Sequence, residues 1–126
     1  MIRTAAANLL TGLVALEHVG FLALEMFFWD HPVGQRIFEM TPDYAAQSAT
    51  LAANQGLYNG FLAAGLVWGL VAGRREVKLF FLACVVIAGI FGGLTAKPSI
   101  FFTQALPGAI AFLLVFAERR LVDRAR

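Results

Sequence analysis

Long apolar segments separated by short charged ones form the main pattern along the chain. Cutting the sequence at its charges leaves apolar segments at residues 5–29, 51–72, 79–96 and 100–117. Each is close to the roughly 17 to 25 residues that a helix needs to cross a bilayer. The pattern therefore predicts an all-α integral membrane protein, a four-helix bundle that forms a single domain over residues 1–126.

The first segment resembles a secretory signal peptide only at its beginning, where Arg3 would supply the short basic region. The apolar run that follows is longer than the roughly 7 to 15 residues of a signal-peptide core. It ends in the sequence WDHP, which is not a cleavage site of small residues. We therefore expect this helix to be retained.

Lysine and arginine are distributed unequally between the two ends of these segments. Along a four-helix path, eight of them fall on one side, and Arg36 and Lys97 fall on the other. Because loops rich in basic residues stay in the cytoplasm, we expect both termini to be cytoplasmic and the protein to be a multi-pass protein of the bacterial inner membrane. The eight residues are Arg3, Arg74, Arg75, Lys78, Arg119, Arg120, Arg124 and Arg126.

The connection between the first two predicted helices, residues 30–50, is the longest in the chain. Its apolar residues at positions 33–40 favour a short interfacial helix. Thr41 and Pro42 are typical of a helix start, with a hydroxyl N-cap followed by proline at the first helical position. We expect this connection to cap the outer end of the bundle, and the pattern leaves open whether it is a lid or a surface loop.

Small residues recur every four positions in the second and third predicted helices. Gly56 and Gly60 belong to such rows in the second helix, and Gly89 and Gly93 in the third. These rows let helix backbones approach closely where lipid supplies no hydrophobic drive. We therefore expect the second and third helices to pack tightly against each other.

Proline interrupts the start of the fourth predicted helix. Pro107 lacks a backbone N–H, so a carbonyl near Thr103 loses its helical partner. The sequence predicts either a kink or a local hydrogen-bond site there.

The composition supports the assignment to membrane proteins and argues against several other classes of protein. The chain is 60% hydrophobic and 14% charged, whereas soluble domains carry about 25% charged residues. Its net charge of +2 comes from basic residues at segment ends, which indicates orientation in a membrane and not a nucleic-acid interface. Cys84 is the single cysteine, which excludes an internal disulfide and a CxxC motif.

Ionisable residues inside the first segment are the candidate chemistry. Glu17, His18 and Glu25 lie at membrane depth, where a charge costs roughly 2.5 to 3.5 kcal/mol on insertion scales and usually faces a partner or a ligand. Thr11, His18 and Glu25 recur every seven residues, so they form one stripe that drifts only about 20° per step. We predict that Glu25 and His18 are catalytic acid–base groups.

Other polar residues are expected in the same outer half of the bundle. On the second helix they lie about 5 to 12 Å inside the membrane, and Gln104 begins the fourth helix nearby. Asn and Gln at such positions either bond between helices or bind a ligand, and Trp29 either joins an interfacial belt or lines the mouth of the site. The predicted ligand-binding residues are Glu17, Trp29, Asn54, Gln55, Tyr58, Asn59 and Gln104.

The polar stretches also resemble a known family. His18, the segment Leu24-Glu25-Met26, Trp29 and above all the segment NQGLYN at residues 54–59 are similar to a family of small bacterial membrane proteins catalogued as domain of unknown function number thirteen hundred and four. Gln104 and Pro107 match its last helix, whereas Glu17 has no counterpart in its pattern. The resemblance covers nearly the whole chain and implies a four-helix membrane fold with no established activity.

These observations favour a protein that binds a small lipophilic or amphipathic molecule, and leave open whether it also transforms that molecule by acid–base chemistry. Two alternatives stay open: a proton-coupled transporter of small cations that works as a homodimer, and a structural subunit of a membrane complex. We expect the membrane and a lipid-like molecule as partners, no nucleic acid and no metal site. The pattern indicates no particular cofactor.

Overall fold

The computed structural model describes the backbone of residues 2–124 and the side chains of residues 4–118. Within this part of the chain all regular structure is helical, which confirms the all-α prediction. The five α-helices are α1 (Ile2–Phe27), α2 (Pro32–Ile37), α3 (Pro42–Val71), α4 (Arg75–Thr95) and α5 (Leu106–Arg124), and a π-helix covers Phe101–Ala105.

Among the described residues, three stretches are helical, long and apolar enough to cross a membrane: Thr4–Phe27, Arg75–Thr95 and Phe101–Glu118. The second predicted segment, residues 51–72, corresponds to the C-terminal part of α3 and extends one residue beyond it. Helix α3 has 30 residues but contains more polar side chains than the three stretches just named. The chain thus has the helices of a membrane protein. Of the residues used to predict its orientation, Arg3, Arg119, Arg120 and Arg124 lie outside the described side chains, and Arg126 lies outside the described residues.

The chain forms two compact units. Unit 1 comprises Met1–Ala15 and Ala64–Arg126, and unit 2 comprises Leu16–Ala63. Helices α1 and α3 each contribute to both units, because each crosses the boundary partway along its length.

In unit 1, two glycines of α4 contact the π-helix that precedes α5. A Cβ added at Gly89 would lie 2.7 Å from the backbone nitrogen of Ala105, and one at Gly93 would lie 2.7 Å from the Phe101 ring. The predicted packing of these glycines against α3 is therefore wrong. Among the described residues, α3 and α4 do meet at two other glycines, which belong to α3: Gly65 faces the Phe81 ring, and Gly69 faces the backbone of Lys78.

A charged cluster lies where the ends of α1, α4 and α5 meet in unit 1. The ammonium group of Lys78 donates a hydrogen bond to Asn8 Oδ1 at 2.8 Å and lies 3.6 Å from Glu118 Oε2. The Lys78 and Glu118 side chains are only 6% and 14% exposed. Arg75 donates to the backbone oxygens of Val115 and Phe116, at 3.1 and 2.9 Å.

The π-helix explains what proline does at the start of α5. Pro107 has no N–H to donate, and the residues directly before it adopt i→i+5 bonding, with the Leu106 N–H bonded to the Phe101 carbonyl. Such wide turns are one of the usual ways in which a helix absorbs a break in its hydrogen-bond ladder. The predicted irregularity near Thr103 is thus confirmed as a π-helix.

In unit 2, α1 and α3 run antiparallel and in close contact. A Cβ at Gly60 would meet Leu22 Cδ1 at 2.6 Å, and one at Gly56 would meet Met26 Cγ at 2.7 Å. As α1 advances from Leu22 to Met26, its partner on α3 therefore moves back from Gly60 to Gly56. Gly56 and Gly60 of α3 therefore pack against α1, whereas the sequence had predicted packing against α4.

The connection between α1 and α3 contains the predicted short helix as α2. His31 caps it, because Nδ1 accepts a hydrogen bond from the Val33 N–H at 3.2 Å. Thr41 caps α3 through its hydroxyl, which accepts from the Tyr44 N–H at 3.3 Å. The predicted helix start at Thr41-Pro42 is confirmed, and Pro42 is the first residue of α3.

Candidate functional site

A carboxylate and an amide meet between α1 and α3 in unit 2. Asn59 Nδ2 donates a hydrogen bond to Glu25 Oε2 at 2.7 Å. Asn59 is 8% exposed, whereas Glu25 is half-buried. A bond to a charged acceptor is short and roughly twice as strong as one between neutral groups. This pair joins two of the predicted site residues directly.

Glycine at position 56 allows this pair to form. A Cβ there would lie 3.0 Å from Glu25 Cβ and 3.2 Å from the Leu22 carbonyl oxygen, both of which are tighter than ordinary contact. The helices approach closely at Gly56, and Asn59 then lies on the buried side of α3 one turn along. Gly56 was predicted as a packing residue, and its position beside Glu25 also makes it a positioning residue for the site.

The described side chains give Glu25 no compensating cation. Among the described side chains, no lysine or arginine forms an ion pair with it, and its partner is the neutral Asn59 amide. The second carboxylate oxygen, Oε1, has no hydrogen-bond partner in the part of the chain that the structure describes. A carboxylate has about four acceptor positions, so most of the capacity of Glu25 is available to another molecule.

His18 lies on the same stripe of α1 as Glu25 but not beside it. Its side chain is fully buried and meets Phe21 edge to face, with ring centroids 5.6 Å apart. Seven residues of helix separate His18 from Glu25 by about 10 Å along the axis. The structure therefore confirms that the stripe faces inward, and it does not bring the two predicted catalytic groups into direct contact.

Trp29 and Glu17 flank the pair on α1 and beyond its end. Trp29 Nε1 donates to Ser48 Oγ at 2.9 Å, and its ring packs at 4.7 Å against Phe38. The indole thus ties the end of α1 to α3 and to the residue after α2. Glu17 is half-buried and lies eight residues before Glu25, so at about 100° per residue it points about 80° away from Glu25 around α1.

Of the predicted ligand-binding residues of α3, Asn54 and Tyr58 lie on another side of that helix from Asn59, whereas Gln55 lies only about 40° from it. Asn54, Gln55 and Tyr58 are exposed, whereas Asn59 is buried. At about 100° per residue, Asn54 points roughly 140° away from Asn59. The structure therefore does not group these three with Glu25, and their role as ligand-binding residues stays a prediction.

Gln104 belongs to unit 1, within the π-helix. Its Nε2 donates to the Val85 carbonyl oxygen at 3.1 Å, so its amide links this segment to α4.

Ser48 is a residue of unit 2 that the sequence did not indicate. Its hydroxyl accepts the Trp29 hydrogen bond and donates to the Tyr44 carbonyl at 2.6 Å. No spacing signal marks such a contact, because it depends on how the connection between α1 and α3 folds.

The acidic and histidine side chains do not form a metal-binding cluster in the part of the chain that the structure describes. Within the described part of the chain, no three His, Cys, Asp or Glu residues lie close enough together to hold a metal ion. The geometry of the pair at Glu25 and Asn59 is that of a hydrogen-bonding site.

Comparison with known proteins places these residues in a wider group. The family model described as "Protein of unknown function (DUF1304)" matches residues 12–116. Over 119 residues the chain is 30% identical to "Uncharacterized protein YpaA" of Lactococcus lactis subsp. lactis (strain IL1403), an alignment that covers 91% of this chain and 98% of that protein. No solved structure gives a significant match.

Proposed function

The chain belongs to the DUF1304 family, as its NQGLYN segment predicted, and from the geometry of this member we propose that it binds a small amphipathic molecule in the membrane. The Glu25 carboxylate receives a hydrogen-bond donor of that molecule, and Asn59 holds the carboxylate in place. The observation that carries the proposal is the 2.7 Å bond from Asn59 to Glu25, which leaves the second carboxylate oxygen without a partner among the described residues.

We propose four membrane crossings, with both termini in the cytoplasm. In support of this topology, Asn8 near the start of α1 and Lys78 near the start of α4 are joined by a hydrogen bond of 2.8 Å, as expected for two helices that start on the same side. If α1 crosses, the chain has to cross back before α4 begins, and α3, about 45 Å long, is the helix between them with enough length. This topology supports the inner-membrane location expected from the basic residues.

The chemistry of a carboxylate without a cationic partner indicates which class of ligand it would bind. Glu25 lies in a span of apolar helix, where water is scarce and an acceptor gains most from a donor that it can reach. A hydroxyl or amine head group supplies such a donor, and an alkyl or ring body suits the apolar side chains beside it. Because Glu25 is half-buried, such a molecule can reach it sideways from the lipid.

Catalysis requires more than this pair supplies. A general acid or base has to lie within hydrogen-bond reach of the proton that it moves, and His18 is about 10 Å from Glu25 along α1. A ligand that spans this distance would bring both groups into one reaction. The proposal is therefore a binding function, and acid–base chemistry by Glu25 and His18 remains the further prediction.

Two probes that differ by one hydrogen-bond donor test the proposal. Purified protein in mild detergent is titrated with dodecanol and with dodecyl methyl ether, which has the same apolar body and no O–H. We expect saturable binding of the alcohol, weaker binding of the ether, and no difference between the two probes for Glu25→Gln. Glu76→Gln, which removes an exposed carboxylate of α4, is the matched control. Equal binding of both probes by the wild type would contradict the proposal.

A further inference from the structure

One face of α3 in unit 2 carries exposed side chains at a regular spacing along the helix. Gln47, Leu51, Asn54, Tyr58 and Phe61 are separated alternately by four and three residues, and all five are exposed. We call this set the α3 seam. Its average period of 3.5 residues is that of the core positions of a coiled coil, whereas the opposite side of α3 is buried at Ala45, Ala52 and Asn59.

The seam would be costly if it faced lipid. Asn54 carries a side-chain amide with two donors and an acceptor, and lipid offers none of them a partner. The neighbouring layers are apolar and largely exposed: Leu51 is 75% exposed, and Tyr58 and Phe61 are each 54% exposed. A surface made of apolar layers around one amide is suited to contact with another helix.

We propose that the α3 seam is the interface of a parallel homodimer, with Asn54 hydrogen-bonded to Asn54 of a second copy. The unequal distribution of basic residues orients every copy in the same way, so the two-fold axis runs along the membrane normal. Each seam residue then meets its own counterpart. A side-chain amide is self-complementary in that arrangement, because each copy donates one hydrogen bond and accepts one.

This chemistry favours a second copy over an unrelated partner. An acidic or basic residue at position 54 would repel its counterpart in a symmetric dimer, whereas Asn pairs with itself and is known to fix register at such core positions. The proposal rests on the crossing by α3 given above, but it does not depend on what Glu25 binds. Asn59 and Glu25 lie on the other side of α3 and are not part of the interface.

Site-directed cross-linking in native membranes tests the interface. In a Cys84→Ser background, Asn54→Cys and Phe61→Cys should form disulfide-linked dimers with copper phenanthroline. Gln55→Cys is the control, because residue 55 is equally exposed and at nearly the same depth, but points about 100° away. Efficient cross-linking at position 55, or its absence at positions 54 and 61, would overturn the proposal.

A second measurement addresses the energetic role of Asn54. Asn54→Leu should weaken dimerisation in detergent about three- to thirty-fold, equivalent to roughly 0.6 to 2 kcal/mol for an interhelical hydrogen bond. Gln55→Leu should leave it unchanged, and equal dimerisation by Asn54→Leu and the wild type would contradict the pairing. Labelling of Asn54→Cys with a membrane-impermeant maleimide distinguishes the proposed membrane crossing by α3 from the proposed dimer. Fast labelling would show that residue 54 is not buried in the membrane and would contradict the crossing. Slow labelling without cross-links would contradict only the dimer.

Discussion

Each compact unit holds a carboxylate at a helix contact, and the two carboxylates have opposite kinds of partner. In unit 1, Glu118 lies 3.6 Å from the buried ammonium of Lys78, which also bonds to Asn8. In unit 2, Glu25 bonds to the neutral amide of Asn59. A carboxylate beside a cation has its charge compensated within the fold. A carboxylate that is held by one neutral donor can still accept a donor or a proton from elsewhere.

The difference separates a stabilising contact from a candidate site. Lys78 and Glu118 connect α4 to α5, so their loss should affect folding first. Glu25 and Asn59 connect α1 to α3 through a single hydrogen bond, so their loss should affect binding more than folding. Substitutions in the two units test this contrast.

The largest expected effect comes from removing the cation of unit 1. Lys78→Met leaves the buried Glu118 carboxylate without compensation, and breaking such a pair costs roughly 3 to 5 kcal/mol. Glu118 Oε1 already has no hydrogen-bond partner among the described residues, which adds to the penalty. The measurement is the free energy of unfolding in mixed micelles titrated with sodium dodecyl sulfate. The double variant Lys78→Met/Glu118→Leu should recover most of the loss, and an unchanged stability of Lys78→Met would show that the pair is not a stabilising contact.

A smaller effect is expected where the helices of unit 2 approach. Gly56→Ala puts a methyl group against Met26 and Glu25, and overpacking of this kind costs about 1 to 3 kcal/mol. Gly60→Ala should cost less, because its nearest contact is the end of the flexible Leu22 side chain. The same unfolding titration compares the two variants. If Gly60→Ala were the more damaging, the close approach at Gly56 would not determine the position of Glu25.

The hydrogen bond of the site should respond differently to changes on its two sides. Asn59→Leu removes the donor and leaves a partly buried carboxylate, at a cost of about 1 to 3 kcal/mol. Glu25→Gln should cost less, because its side-chain carbonyl still accepts from Asn59. Unfolding titrations of both variants measure the asymmetry. Equal losses would contradict this expectation, because they would mean that the bond depends on the charge of the carboxylate and that a neutral acceptor does not replace it.

The smallest effect is expected at the connection that closes unit 2. Trp29→Phe keeps an aromatic ring against Phe38 but removes the donor to Ser48, so stability should fall by about 0.5 to 1.5 kcal/mol. A double-mutant cycle with Ser48→Ala isolates the bond. Additive effects of the two substitutions would show that this contact contributes nothing measurable.

The helices were largely predictable because their signals are local. Runs of apolar residues located α1, α3, α4 and α5, and Thr41-Pro42 located the start of α3. Which helix faces which glycine was not predictable. Rows of small residues mark a close approach but carry no information about the partner, so Gly56 met α1 and Gly89 met the segment before α5.

Part of the candidate site was also predictable, because its signals too are local in the sequence. The seven-residue recurrence on α1 identified the inward stripe that contains His18 and Glu25, and the NQGLYN segment contained the partner Asn59. The segment also suggested Asn54, Gln55 and Tyr58, which are exposed. Polarity within a membrane helix indicates a need for partners, but only the rotation of the helix decides whether that partner lies inside the chain.

The most direct test of the binding function is native mass spectrometry of the protein extracted from its own membrane in mild detergent. Wild type, Glu25→Gln and the exposed-site control Glu76→Gln are compared under the same conditions. We predict one discrete non-covalent adduct on the wild type and on Glu76→Gln, and its loss from Glu25→Gln. An adduct of the same mass and occupancy on all three proteins would contradict the assignment of Glu25 as the binding residue.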